Sequence, residues 1–220
     1  MKPQLRILIL YDNTAWEKNM TPDWGFSCMV EFGNKKILFD TGAKPDILKS
    51  NMRSLDVDPL DMDSVFISHD HWDHTGGMAV VHENREIPVY VPASLNTGGE
   101  GFRDMINIIP IDDARQIGDN MYSTGELKQI EHSLALRLAN NEVVVVAGCS
   151  HPGVREIVKA AEAFGNVSTV IGGLHGFDDF DLVKNFKQIC PTHCTQHIRE
   201  IADRYPEKYI HGGAGKVIEF

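Results

Sequence analysis

The stretch Ser68-His69-Asp70-His71-Trp72-Asp73-His74-Thr75-Gly76-Gly77 constrains this chain more than any other. Three histidines and two aspartates fall within the six residues 69–74, directly after the apolar run Val65-Phe66-Ile67, which has the character of a short buried strand. Delivering so many water-preferring groups from a buried strand is costly without a compensating cation. Neutral imidazoles and carboxylates are the ligands expected for zinc, iron or manganese. On extended backbone alternate side chains project to one side, so His69 and His71 can share an ion, while Asp73 and His74, in the turn that follows, face a second position. The bland alternative is a solvated loop at a strand end, and the density of the cluster weighs against it.

The remaining hydrophobic pattern suits packed sheets with helices outside them. Residues 7–11, 26–32 and 36–40 read as strands, with Gly33-Asn34 as the hairpin turn between the last two. Residues 45–55 have helical spacing, with Ile47, Leu48 and Met52 on one face, and 75–83 read as a helix start beyond the histidine cluster. Further strands are expected at 64–68, 88–91, 121–124, 133–138 and 142–147, the last carrying four consecutive valines as a strand covered on both faces does. Between them, residues 96–101 are glycine-rich and read as a flexible loop. Helices at 152–164, 178–187 and 195–205 alternate with strands at 167–171 and near Ile189, and 216–220 reads as a final strand. Strands first and βα units afterwards indicate an α/β protein with stacked sheets. Without a repeat, a low-complexity tract or a linker, a single domain over 1–220 is the simplest organisation.

Composition narrows the function classes. The formal net charge of -10 argues against a general polyanion-binding surface, so no nucleic-acid partner is expected. The opening apolar run, 5–10, is too short for a secretory signal and is interrupted by Arg6, and no run approaches membrane-spanning length. Four cysteines suggest no disulfide framework. A cytoplasmic location and a small-molecule substrate are the resulting expectations.

With its His-x-His-x-Asp-His signature at 69–74, the chain resembles the metallo-β-lactamase superfamily over nearly its whole length. Leu38-Phe39-Asp40-Thr41-Gly42 looks like the first motif of that superfamily, Ala147-Gly148-Cys149-Ser150-His151-Pro152-Gly153 like the third, and Pro191-Thr192-His193-Cys194 like the fifth. The resemblance implies a four-layer αββα sandwich and two divalent metal ions, zinc first, with manganese or iron as alternatives. It further implies that His69, His71 and His151 hold one ion, that Asp73, His74 and His193 hold the other, and that Asp40 orients the metal loop from behind. The fourth motif departs from the pattern. Most two-metal members place a bridging aspartate there, whereas Ile171-Gly172-Gly173-Leu174-His175-Gly176 ends in His175, a candidate ligand for one ion or a contact to substrate. Asp178 and Asp179 stand at the start of an expected helix, where acids serve as caps. Gly25-Phe26-Ser27 and the wording of the third, fourth and fifth motifs are similar to the subgroup named for dihydropterin–ribofuranosylaminobenzene-phosphate synthase.

The chemistry implied is hydrolysis by metal-activated water, acting on a small ester, phosphodiester, lactone or thioester, with a pterin-related substrate as the subgroup's hint. In it Asp73 and His175 carry the catalytic roles: Asp73 binds metal and orients the water, and His175 faces substrate or transfers a proton. Two rivals stand beside it, a di-iron redox enzyme and a non-catalytic metal-binding or electron-transfer module of the same fold. The redox members usually carry glutamate at the place of His71. Cys190 and Cys194 flank His193 but read as buried thiols rather than a disulfide. The glycine run after His211 reads as a turn, Trp16, Trp24 and Phe26 as core, and His82, His132 and His197 are assigned no role.

Overall fold

In the computed structural model, which describes residues 4–220, the side chains of β1 (Leu5–Tyr11) alternate between two apolar layers. Leu5, Ile7 and Ile9 enter a core between two sheets, and Leu8 and Leu10 enter a second core under the helices. This period-2 division is repeated in β10 (Glu142–Ala147), where Val144 and Val146 join the inter-sheet core while Val143, Val145 and Ala147 join a third layer outside. Three apolar layers separate four layers of structure. The valine run therefore is covered on both faces, and the expected αββα sandwich is present.

The first sheet has seven strands in the order β13-β1-β2-β3-β4-β5-β6. After β1 it comprises β2 (Ser27–Phe32), β3 (Lys35–Phe39), β4 (Ser64–Phe66), β5 (Val89–Pro92), β6 (Ile108–Ile111) and, at the far edge, β13 (Val217–Glu219). Pairing is antiparallel from β13 to β3 and parallel from β3 to β6. The second sheet has six strands in the order β12-β11-β10-β9-β8-β7, with β7 (Arg115–Gly118), β8 (Met121–Ser123), β9 (Leu134–Arg137), β11 (Asn166–Gly173) and β12 (Gln188–Thr192) around β10. Its β10, β11 and β12 are parallel and the rest antiparallel. Helix α1 (Pro45–Ser54) buries Leu48 and Met52 against the first sheet, with Pro45 at its first turn. Helices α3 (Val154–Ala161) and α4 (Ile198–Arg204) cover the second sheet through Ile157, Val158, Ala161 and Ile201.

Several expectations need correction. Residues 75–83 do not form one helix. A single α-turn, α2 (Trp72–Thr75), is followed by a 3-10 stretch, Met78–Asn84. Gly77 separates the two, and a Cβ there would come within 2.0 Å of the Thr41 carbonyl oxygen, so this close approach requires glycine. Residues 178–187 give only a 3-10 stretch, Phe180–Asn185, and Lys208 Nζ donates to the carbonyls of Val183, Lys184 and Phe186 where helical bonds would otherwise continue. Strands β6 and β7 carry no sequence expectation. Both lie at sheet edges, and β6 contains Pro110, a residue that an edge strand tolerates and a central one does not. Among the described residues no helix is long and apolar enough to cross a membrane.

Candidate metal centre

The strands that carry the histidine motifs end on one side of the sandwich, and at each end the backbone turns through a left-handed residue. Asp40 after β3, Ser150 beyond β10, His175 beyond β11 and His193 after β12 have φ of 51°, 57°, 47° and 48°. Non-glycine residues pay roughly 1–2 kcal/mol for this conformation, and its concentration at four strand ends marks where the fold holds its backbone under strain.

The 69–74 segment is gripped from behind by Asp40. Asp40 Oδ1 accepts the Ser68 N–H at 2.7 Å, and Oδ2 accepts both the Ser68 hydroxyl and His74 Nδ1–H at 2.7 Å. Ser68 Oγ, having given its proton to Asp40, accepts from His69 Nδ1 at 2.9 Å. These bonds place the protons of His69 and His74 on Nδ1 and leave each Nε2 lone pair facing forward. His71 sits at the exposed side, its Nδ1 3.0 Å from His69 Nε2, so the two rings present nitrogens to a common point. Thr41 accounts for the carbonyl of His74, which accepts from its N–H and its hydroxyl.

The second sheet supplies the opposing donors. His151 and His193 each carry a buried Nε2 without a hydrogen-bond partner. The rings of His69 and His71 both lie 4.8 Å from that of His151, and those of His74 and His193 are 5.0 Å apart. His193 Nε2 stands 3.3 Å from Asp73 Oδ2 without the alignment of a hydrogen bond, as expected of two atoms aimed at a shared point rather than at each other. The Asp12-Asn13 turn after β1 fixes the His193 ring: Asn13 Oδ1 accepts from Nδ1 at 2.9 Å, Asn13 Nδ2 donates to the His193 carbonyl, and Asp12 Oδ1 accepts the His193 N–H. Trp24 Nε1 donates to Asp73 Oδ2 at 2.8 Å. The six candidate ligands other than His175 therefore converge, with Asp40 behind them. His175 stands outside the converging donors, exposed, its ring 5.2 Å from that of His151. Asp179 is bound by Arg155, and Asp178 lies on an adjoining cleft.

Two residues stand out that the sequence reading passed over. Cys149, treated only as part of the motif wording, is buried with its Sγ 3.2 Å from His74 Nε2. It completes two donor groups whose ligand atoms all lie within 4.8 Å of one another, one with His69 and His151, the other with His74 and His193. Glu131, fully buried, accepts the N–H groups of Gly148, Cys149 and Ser150 on Oε1 and that of His151 on Oε2, and so holds the loop that presents Cys149 and His151. Gly148 must be glycine, because a Cβ there would meet Ser68 Oγ at 2.1 Å.

Electrostatics favours the ligand form of His69, His151, His193 and Asp73. Burial and the surrounding imidazoles push His69 far below its ordinary pKa, and burial with His71 and His175 nearby brings His151 down to about 4. Burial likewise lowers His193. His74 moves the other way: burial opposes its charged form, but the charge and hydrogen bond of Asp40 outweigh it. Burial would raise Asp73, yet the adjacent imidazoles of His193 and His74 hold it well below the usual carboxylate range. Cys149 is raised by the Cys194 thiol it contacts and by burial near Glu131 and Asp73, an order that a bound cation inverts. Imidazoles held low in pKa, an ionised carboxylate and orphaned forward-facing nitrogens fit the binding of divalent metal.

Over the donors opens a cleft of about 290 Å³ lined by Trp24, His71, Trp72, Asp73, Cys149, His151, His175 and Cys194. A larger cleft, about 570 Å³, lies at the opposite ends of the strands around Lys35, Pro88 and Tyr90, away from every candidate donor. Trp24 belongs to the mouth of the site, not to the core as its sequence suggested, and Trp24 and Trp72 are more than half exposed. His132 bridges the sheets, bonded to Ser123 Oγ and the Ile67 carbonyl.

A profile of the Metallo-beta-lactamase superfamily matches residues 21–133, about half of the chain. The 7,8-dihydropterin-6-methyl-4-(beta-D-ribofuranosyl)-aminobenzene-5'-phosphate synthase of Methanocaldococcus jannaschii is 27% identical over 96% of this chain and 92% of its own length. A solved metal-dependent hydrolase of the beta-lactamase superfamily superposes with a TM-score of 0.77 at 25% identity, covering 98% of this chain and 99% of its own. Zinc-bound PqqB from Methylobacterium extorquens shares the fold at 11% identity and a TM-score of 0.65, covering 98% of this chain and 100% of its own. On its sequence and its architecture alike, the chain belongs to the metallo-β-lactamase superfamily.

Proposed function

We propose that this protein hydrolyses a small-molecule ester, phosphodiester, lactone or thioester with the help of two divalent ions, zinc first. The observation that carries this reading is the pair of adjoining donor groups, into which His151 and His193 turn buried, unpartnered Nε2 atoms. His69, His71 and His151 would hold one ion, and Asp73, His74 and His193 the other. Such ions supply Lewis acidity, polarising the group under attack and bringing the pKa of water toward neutrality.

The protein's own residues do the positioning. Asp73, kept ionised and steered by Trp24 Nε1, is placed to orient the attacking water at the floor of the cleft. His175, exposed at the rim beside His151, is placed to face the substrate and pass a proton to the departing group. Trp24 and Trp72 wall the cleft with exposed aromatic surface, which suits a flat ring. A pterin-like substrate accords with that wall and with the activity named for the Methanocaldococcus jannaschii relative.

Metal analysis of protein purified without added metal, followed by a screen of phosphodiester, lactone, thioester and pterin-derived phosphoester substrates, tests the reading. Two equivalents of zinc or manganese with turnover on one class are expected. Iron accompanied by oxygen consumption, without hydrolysis, would replace it with the di-iron redox reading.

A further inference from the structure

We propose that Cys149 binds as a thiolate between the two ion positions and is shared by both. The inference rests on the two-ion reading above and adds to it a ligand that neither ion's histidine set contains.

Sγ of Cys149 is common to both donor groups, within 4.8 Å of the ligand atoms of His69 and His151 on one side and of His74 and His193 on the other. Around a tetrahedral zinc, with Zn–N near 2.0–2.1 Å and Zn–S near 2.3 Å, neighbouring ligand atoms stand roughly 3.3–3.7 Å apart. The 3.2 Å from Sγ to His74 Nε2 is already close to that spacing. His193, whose side chain is completely buried, aims its unpartnered Nε2 into the same group.

Buried free cysteines usually pack as small apolar residues. Cys28 and Cys190 do so here, both lying within the inter-sheet core. Cys149 belongs to none of the apolar clusters and has imidazoles around it instead. Its backbone is held for the purpose: Glu131 accepts its N–H, and those of the residues on either side, so that Sγ projects between the two sheets' histidines. Charge supplies the second argument. Among the proposed direct ligands Asp73 is the one anion set against two dications, and His175, exposed at the rim, adds none. A thiolate between the ions places negative charge where their mutual repulsion acts and, as a soft ligand, favours zinc, cobalt or iron over manganese or magnesium.

The test is the protein loaded with cobalt(II), with Cys149→Ser, Cys149→Asp and Cys194→Ser beside it. Wild type is expected to bind two equivalents and to show an intense near-ultraviolet thiolate-to-cobalt band. Cys149→Ser and Cys149→Asp should lose that band while Cys194→Ser keeps it. In the cadmium-substituted protein, NMR should give two metal resonances, both displaced by Cys149→Asp. Two bound cobalt ions with visible d–d bands but no thiolate band, or a band that survives in both Cys149 variants, overturns the thiolate ligand and leaves the two-ion centre standing. Displacement of only one cadmium resonance overturns the sharing. Fewer than two equivalents in wild type defeats the two-ion reading, and the bridge with it. Should Cys149→Ser fail to fold, the wild-type spectrum and Cys149→Asp still decide the question.

Discussion

Asp40 Oδ2 lies 2.7 Å from His74 Nδ1, and neither side chain has any exposure to solvent. The pair fixes the tautomer and the aim of an imidazole at the centre of the site. Asp40→Asn would offer a donor where His74 and the Ser68 hydroxyl both need an acceptor. Metal affinity should fall about 10–100-fold, read by competition with a chelator. Unchanged affinity would remove Asp40 from this role.

Glu131 accepts four backbone N–H groups of the 148–151 loop. Glu131→Gln keeps the shape but turns an amide NH2 toward one set of those donors. A loss of about 1–3 kcal/mol in unfolding free energy is expected, with weaker metal binding alongside. Chemical denaturation and metal titration measure the two effects. A variant as stable as wild type, with full metal content, contradicts this account of the loop.

His132, fully buried between the sheets, is pushed down to about 3 by that burial from an ordinary value of 6.5. Between those values the unfolded chain binds the proton and the folded one does not. Stability is therefore full above about pH 6.5 and declines as pH falls toward 3, by up to ~1.4 kcal/mol per pH unit from this group. His151, lowered to about 4, contributes in the same direction. Denaturation curves across this range should show a shallower slope for His132→Gln than for wild type. An unchanged slope assigns the acid sensitivity elsewhere.

His175→Ala separates catalysis from metal binding, because the ring stands at the rim and outside both donor groups. Turnover on whichever substrate the screen identifies should drop about 10²-fold, with the metal stoichiometry intact. Loss of an equivalent of metal would make His175 a ligand instead.

Much of this was open to view in the chain itself. The 69–74 cluster pointed to the place where the candidate donors converge, because its residue types are rarely worth packing behind a strand otherwise, and the valines of β10 announced a strand with two dry faces. The helix expected at 178–187 failed because a distant lysine, Lys208, captures its carbonyls. Edge strand β6 was hidden by Pro110. Glu131 left no local trace, since its four partners lie 17 to 20 residues further along and meet it only once β10 is in place. Cys149 looks in sequence like any cysteine beside a glycine, and only the fold brings His74 and His193 from other segments beside its sulfur.

The donors are divided between the sheets: His69, His71, Asp73 and His74 follow β4 of one, while Cys149, His151 and His193 follow β10 and β12 of the other. Any ion held there is a rivet through two plates, and the Asp12–His193 clasp from β1 is a second fastening beside it. The halves of the molecule must be aligned before the rivet can be set, and once set it resists their sliding. With ions in place, occupancy of the centre and the integrity of the whole sandwich would become a single mechanical quantity, and a chelator would loosen the frame as it emptied the site.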